Sequence, residues 1–249
     1  RARQHLRDRD DAGGAGVAHQ GAPRLMPALL VVGVRGLGGV IARHFAEQGW
    51  QIACAARTAG EVEALAAQTR GTALVADLRD RQATERLCAQ AWEKLGRVDL
   101  VVAAQTSGAR FGPQSVLDLA DFERALTGYP QATLHLLQAA GPRLIAQGGG
   151  SFLQMGTGSG LKAREGFAGI SAAQAALRAL CAVAALELKP RGVHVAYVAI
   201  EGGIEREGSA RPQELSIPPL EIARAVEYLH GQAKRAWTHE LSLRPAASP

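Results

Sequence analysis

The stretch LLVVGVRGLGGVIARHF, from Leu29 to Phe45, decides the fold: an apolar run stops at Gly33, glycines recur at Gly36, Gly38 and Gly39, and a helical pattern follows. An apolar run without polar alternation is the mark of a strand buried on both faces. A glycine-rich turn joining such a strand to a helix is a site for nucleotide phosphates, because the helix N-terminus turns unpaired N–H groups toward negative charge. Gly33 is expected to turn the chain sharply, Gly36 to let the backbone approach a pyrophosphate, and Gly38 or Gly39 to let the helix lie close to the sheet. Leu37, between Gly36 and Gly38, belongs to the same expected phosphate-binding set. The spacing, two residues between Gly33 and Gly36 and one between Gly36 and Gly38, departs from the common dinucleotide fingerprint, and a plain strand-to-helix connection would share its glycines.

Outward from this stretch the chain alternates. WQIACAAR reads as a second strand ending at Arg57, Glu61 to Arg70 as a helix, TALVADL as a third strand, Gln82 to Leu95 as a helix and VDLVVAAQ as a fourth strand. Helical material is expected from Leu117 to Ile145, then a GGGSFLQM strand, an Ala-rich helix from about Ser171 to Leu188, and the strand GVHVAYVAI. Residues 203 to 219 read as an irregular excursion, Leu220 to His230 as a helix and AWTHELSLRP as a last strand. This order predicts an α/β fold, a single Rossmann-like doubly wound domain over residues 28–249, with a parallel sheet, right-handed crossovers and helices on both faces. Residues 1–27, rich in Arg, Asp, Gly and Ala and lacking apolar periodicity, are expected to be a flexible tail.

The chain has 249 residues, 47% of them hydrophobic but only 4% aromatic, so the core must be built mainly from Ala, Val, Leu and Ile. The net charge of +5 owes much to arginines in the first 24 residues, with no interleaved aromatics, which argues against a nucleic-acid partner. Cys54, Cys88 and Cys181 are scattered and contain no metal-ligand pair; reduced thiols, a cytoplasmic setting and no metal are expected. Nothing reads as a secretory leader or membrane span.

In a doubly wound sheet the ligand lies at the carboxyl ends of the strands, where the strand order reverses. At the end of the second strand, where an acid would hydrogen-bond the ribose of NAD, the chain has Arg57. Arg57 is suited to a ribose 2′-phosphate, with Arg35 as a second guanidinium or a stacking partner for adenine, which favours NADP(H) over NAD(H). An ordinary surface charge is the alternative for each. Asp77 is placed to accept from the adenine amino group with Leu78 beside it; a helix cap is its alternative role. Ala103, Ala104 and Gln105 follow the fourth strand, where small side chains let the backbone pass close to a cofactor.

With these features in order from Leu29 to Leu243, the chain resembles the short-chain dehydrogenase/reductase family. The resemblance implies an oxidoreductase acting on a small carbonyl or alcohol substrate. In that family a tyrosine moves the proton, a lysine four residues later lowers its pKa and holds the nicotinamide ribose, and a serine thirteen residues before the tyrosine orients the substrate oxygen. Laid over FLQMGTGSG and GFAGISAAQAAL, the pattern puts Thr157 at the serine, Ile170 at the tyrosine and Gln174 at the lysine. Ile170 has no proton to give and Gln174 no charge with which to shift a pKa. The family's strand-four motif is replaced by Ala103, Ala104, Gln105 and Thr106, its helix asparagine by Tyr129, and the proline and glycine near the nicotinamide by Ile200 and Glu201. The glycine turn is one residue tighter. Tyr129 with Thr157 is the best substitute pair for proton transfer, against the alternative of a tyrosine packed in a helix interface. Gln174 and Ile200 are carried over as cofactor contacts. An atypical oxidoreductase and a catalytically inactive nucleotide-binding regulator or scaffold both follow from these departures.

The helix through LRALCAVAALELK is apolar on more than one face and needs burial on both sides. The resemblance implies a homodimer or homotetramer built on it, with Ala179, Ala182 and Ala185 permitting close helix approach.

Overall fold

The computed structural model describes residues 26–247. Apart from its last two residues, the expected tail over 1–27 lies outside them. Seven strands form one parallel sheet: β1 (Ala28–Val32), β2 (Gln51–Ala56), β3 (Thr72–Val75), β4 (Leu100–Ala103), β5 (Gly150–Thr157), β6 (Val193–Ile200) and β9 (Glu240–Leu243), in the order β3-β2-β1-β4-β5-β6-β9. A separate two-stranded pair joins β7 (Gly203–Ile204) to β8 (Ser216–Ile217) inside the segment that reads as irregular. Its strands are two residues each, too short for a periodic pattern to show.

The sheet lies between two helical layers. One layer is α1 (Leu37–Glu47), α2 (Ala59–Thr69) and α7 (Pro219–His230); the other is α3 (Arg81–Leu95), α5 (Ala132–Ala146) and α6 (Ala168–Leu188), with α4 (Leu119–Leu126) leading into α5. The alternation within each strand explains the division. In β1, Leu29 and Val31 pack toward Ile41 and Phe45 of α1, while Leu30 and Val32 pack toward Leu87 and Cys88 of α3. All five β1 residues are buried, as expected of a central parallel strand. Burying each such Val or Leu contributes roughly 1.5–3 kcal/mol, offset by chain entropy.

The helical stretch expected from Leu117 to Ile145 is helical from Leu119 to Ala146, with one irregular turn in it. Between α4 and α5 the chain runs through a π-helical turn, Thr127–Gln131, containing Pro130. Gly128 there presses on Ser107, whose Cα would lie 2.6 Å from a Cβ at position 128. The Ala-rich helix begins at Ala168, a turn earlier than expected, and with its 3₁₀ extension to Arg191 it is long and apolar enough by composition to cross a membrane. Its apolar character, which does not read as a membrane span in the sequence, serves packing on the sheet, since Leu177, Cys181 and Ala184 are buried in the core. Ala185 is buried with them and cannot serve the interface expected of it, whereas Ala179, Ala182, Val183 and Leu186 are exposed.

All three thiols are buried and unpaired, and burial pushes Cys54 up to about 11 and Cys88 and Cys181 up to about 12. Burial instead depresses two histidines, His194 in β6 and His230 at the end of α7. His194 shares its Nε2 with the Thr238 carbonyl at 2.8 Å and stacks on Trp237, and His230 Nδ1 lies 2.9 Å from Ser151 Oγ. With folded pKa values below the ordinary 6.5, the unfolded chain takes up protons first as pH falls. Stability should therefore be level above about pH 7.5 and fall as pH drops through 6.5, above the range where carboxylates protonate. Urea midpoints are expected to drop between pH 7.5 and 5.5, and to drop less in His194→Gln; identical profiles for the two proteins would contradict this assignment.

Candidate functional site

Strand register sets the site. Val32 pairs with Ala55 on one side and Ala103 on the other, and Ala56 with Val75, so β1 to β4 end level at the point where the strand order reverses. Beyond these ends lies an open hollow with about 680 Å³ of empty space. Gly33, Arg35, Arg57, Asp77, Leu78, Ala104 and Gln105 of the expected set line it. Gly36, Leu37, Gly38, Ala103, Gln174 and Ile200 do not.

The glycine turn is built by close approach. Gly33 has φ +87°, and a Cβ there would lie 2.6 Å from the backbone of Ala104 and Gln105. At Gly38 a Cβ would stand 1.9 Å from the Gly33 carbonyl oxygen, so only glycine lets α1 begin this near the turn. Gly36, at φ +61°, faces open space with nothing within 4 Å. It is the N-cap of α1, with no side chain capping the first turn and no acidic residue in it. The N–H groups of that turn are thus left to an external acceptor or water. Leu37 and Ala103 are buried core residues behind the turn, supporting it without facing the hollow.

The walls carry more charge than the sequence pattern disclosed. Arg57, the first residue after β2, is exposed and makes no ion pair among the described residues. Arg35 lies 3.4 Å from Glu61 of α2, a neighbour that helix periodicity alone did not mark as part of the site. Asp77 is gripped by Arg79 through Nε at 3.0 Å and Nη2 at 2.5 Å, and this grip, with Arg57 contributing, holds its carboxyl below the usual range. Asp77 does not cap α3; Asp80 does, accepting from the Ala83 N–H. Leu78 is buried and its carbonyl is 2.8 Å from His135 Nδ1. Gln105 donates to Thr133 Oγ1 at 2.9 Å, Thr133 to Gln154 at 2.8 Å, and Gln154 to the Ala103 carbonyl at 3.0 Å, a chain that fixes the end of β4. The Oε1 of Gln105 is buried and has no partner among the described residues. A buried acceptor without a partner costs about 1–3 kcal/mol, a debt that a ligand donor would remove.

A second polar centre lies at the end of β5. The Thr157 hydroxyl bonds Ser159, a buried serine two residues on that the family pattern does not mark. Gln174 does not reach outward. Its Oε1 accepts from the Thr157 N–H at 3.2 Å and from the Tyr197 hydroxyl at 3.0 Å, its Nε2 is buried without a partner, and the residue is 1% exposed. Tyr197 of β6 is fully buried; a Cβ at Gly156 would meet its ring at 2.2 Å, so glycine there makes its room. Burial pushes the Tyr197 hydroxyl well above its ordinary range, the opposite of a tuned acid. Ile170 is buried against Ala125 and Ala173, and Tyr129, in the π-helical turn, packs on the same cluster. Ile200 is buried in the core. Beside it, Glu201 presses on Gly158 and pairs with Arg244; burial raises this carboxyl, but Arg244, Ser242 and Arg164 outweigh that and hold it below its usual range.

The short chain dehydrogenase family model matches residues 27–207, covering the glycine turn, the hollow and the β5–α6 centre. This chain belongs to the short-chain dehydrogenase family. It is 32% identical over 229 residues to the uncharacterized oxidoreductase MT0954 of Mycobacterium tuberculosis, covering 83% of this chain and 85% of that protein. It is 28% identical to the D-threitol dehydrogenase of Mycolicibacterium smegmatis over 68% of this chain and 66% of that one. Among solved structures it resembles an NAD+-bound xylitol dehydrogenase (TM-score 0.79, 21% identity, covering 90% of this chain and 100% of that one). It also resembles an alcohol dehydrogenase from Thermococcus sibiricus complexed with 5-hydroxy-NADP (TM-score 0.78, 23% identity, 90% and 98%). At these identities the structural likeness establishes the fold.

For a dinucleotide, the two ends of this short-chain dehydrogenase differ. The adenosine and pyrophosphate end fits: a cradle that a Cβ at Gly33 or Gly38 would fill, an uncapped helix, and the orphan acceptor of Gln105. The nicotinamide end does not. Gln174 is folded back onto Tyr197, and Ile170 and Ile200 are buried aliphatics.

Proposed function

We propose that this short-chain dehydrogenase binds NADP(H), and binds it chiefly through the adenosine half, with the family's proton relay dismantled. Bound dinucleotide would supply hydride chemistry toward a small carbonyl or alcohol. The residues at the β5–α6 centre supply no tuned acid, so carbonyl reduction runs without general acid catalysis worth about 10²–10⁴-fold. One observation carries the reading: the hollow gathers Gly33, Arg57, Asp77 and Gln105, while Gln174 is turned away from it. Arg57 is the group suited to a 2′-phosphate, because it is exposed and unpaired among the described residues, whereas Arg35 is shared with Glu61. A charge-assisted contact of this kind is worth about 1.5–3 kcal/mol. Arg57→Ala is accordingly expected to weaken NADPH binding by roughly 10- to 100-fold and to leave NADH binding unchanged, read by calorimetry. Equal losses for both dinucleotides would remove the 2′-phosphate assignment.

A second reading, an active oxidoreductase using Tyr129 as the substitute acid with Thr157, is favoured by one fact: Tyr129 packs on the cluster of Ala125, Ile170 and Ala173, which holds the residue laid over the family's tyrosine. The exposed stripe of Ala179, Ala182, Val183 and Leu186 on α6 supports a homo-oligomer formed by pairing this helix with a second copy.

A further inference from the structure

We infer that the nucleotide site is complete at its adenosine end alone, so that 2′-phosphorylated adenosine nucleotides lacking nicotinamide bind as tightly as NADP(H) itself. The inference rests on the proposed NADP(H) reading and asks which part of the ligand the chain recognises.

The lining of the hollow runs from the glycine turn across Arg57, Asp77 and Gln105 and stops at Ser107, Gly128 and Ala132. The groups that would have to grip the other end of a dinucleotide are withdrawn from it. Gln174 has both Oε1 contacts inside the protein, on the Thr157 N–H and the Tyr197 hydroxyl, and its Nε2 is shut away from solvent. To turn toward a ribose its Oε1 would have to leave both bonds, although the Tyr197 hydroxyl would keep the Thr157 carbonyl at 3.0 Å and the Thr157 N–H would keep the Tyr197 hydroxyl at 3.2 Å. Ile170 and Ile200 are 5% and 8% exposed and have no polar side-chain atom. The Glu201 carboxylate is committed to Arg244. At the adenosine end, by contrast, the exposed Arg57 and the uncapped first turn of α1 each have capacity left for a ligand. A nicotinamide riboside that gains no contacts also contributes no affinity, while ordering its rotatable bonds costs some.

The test is calorimetric titration of the full chain with NADP+, NADPH, 2′-phospho-ADP-ribose and NAD+, repeated with Gln174→Lys. The inference predicts Kd values for 2′-phospho-ADP-ribose and NADP+ within about threefold of each other, and a new preference for the dinucleotide in Gln174→Lys, which puts a cation on the helix where the amide had been. A preference of wild type for NADP+ of tenfold or more, which is 1.4 kcal/mol supplied by the nicotinamide end, would overturn the inference and leave the NADP(H) reading standing. Failure of all four ligands to bind would overturn both.

Discussion

Gly36→Ala is expected to abolish NADPH binding while the protein stays folded, and Gly33→Ala to remove binding and much of the stability together. The two glycines sit three residues apart in one turn, and their surroundings are opposite. Around Gly36 there is nothing within 4 Å, so an added methyl meets no protein atom and the cost is the strain of φ +61°, ψ −115° on an L-residue, about 1–3 kcal/mol. That methyl would instead stand at the uncapped start of α1, where the phosphates must approach the backbone. At Gly33 the same methyl lies 2.6 Å from three backbone atoms of Ala104 and Gln105, at φ +87°. It must push β1 and β4 apart at their ends, which places the loss above about 4 kcal/mol, in the range reached only by severe steric or burial defects. Urea midpoints and calorimetry on both variants check this. Gly36→Ala binding NADPH like the wild type would show that phosphate does not come to this turn.

The second large effect is a gain. The triple variant Tyr129→Asn, Ile170→Tyr, Gln174→Lys is expected to raise NADPH-dependent reduction of small carbonyls by about 10²–10⁴-fold, the contribution of a tuned general acid. All three changes are needed. Ile170 is buried in a cluster with Ala125 and Ala173, and Tyr129 packs on that cluster, so Tyr129→Asn is included to give a larger side chain at 170 room. The lysine supplies the charge that Gln174 lacks. The comparison that matters uses NADPH oxidation across a panel of aldehydes and ketones, with single Tyr129→Phe alongside. A triple variant no faster than wild type, together with a wild-type rate abolished in Tyr129→Phe, would make Tyr129 the working acid and favour the second reading.

The fold was legible because central parallel strands leave an unmistakable mark. ALLVV, and QIACAA and VHVAYVAI apart from Gln51 and His194, are apolar runs because both of their faces are covered. The glycine turn was legible for a related reason: sterics at Gly33 and Gly38 leave no other residue. Arg57 could be placed because strand length fixes where a strand ends, and β2 ends at the residue before it. What escaped was everything set by contacts between distant segments. Glu61 meets Arg35 only once α2 is docked beside the turn, and the withdrawal of Gln174 depends on Tyr197, a residue of β6 that reads simply as part of an apolar strand. The inward direction of Tyr197 was there to be found, since it alternates with Val195 and Ala199 toward the α6 layer. Nothing in the local pattern, however, says that a hydroxyl on that face would meet a glutamine on the helix above it. The π-helical turn contains Pro130, which has no N–H for the helix ladder, and it docks Gly128 on Ser107, a tertiary contact that the local pattern does not show.

Calorimetric titration of the wild-type protein with NADPH and, separately, with NADH tests the central claim most directly. Saturable NADPH binding at least tenfold tighter than that of NADH is expected, the difference arising from Arg57. Equal affinities, or no heat from either dinucleotide up to millimolar concentration, would contradict it.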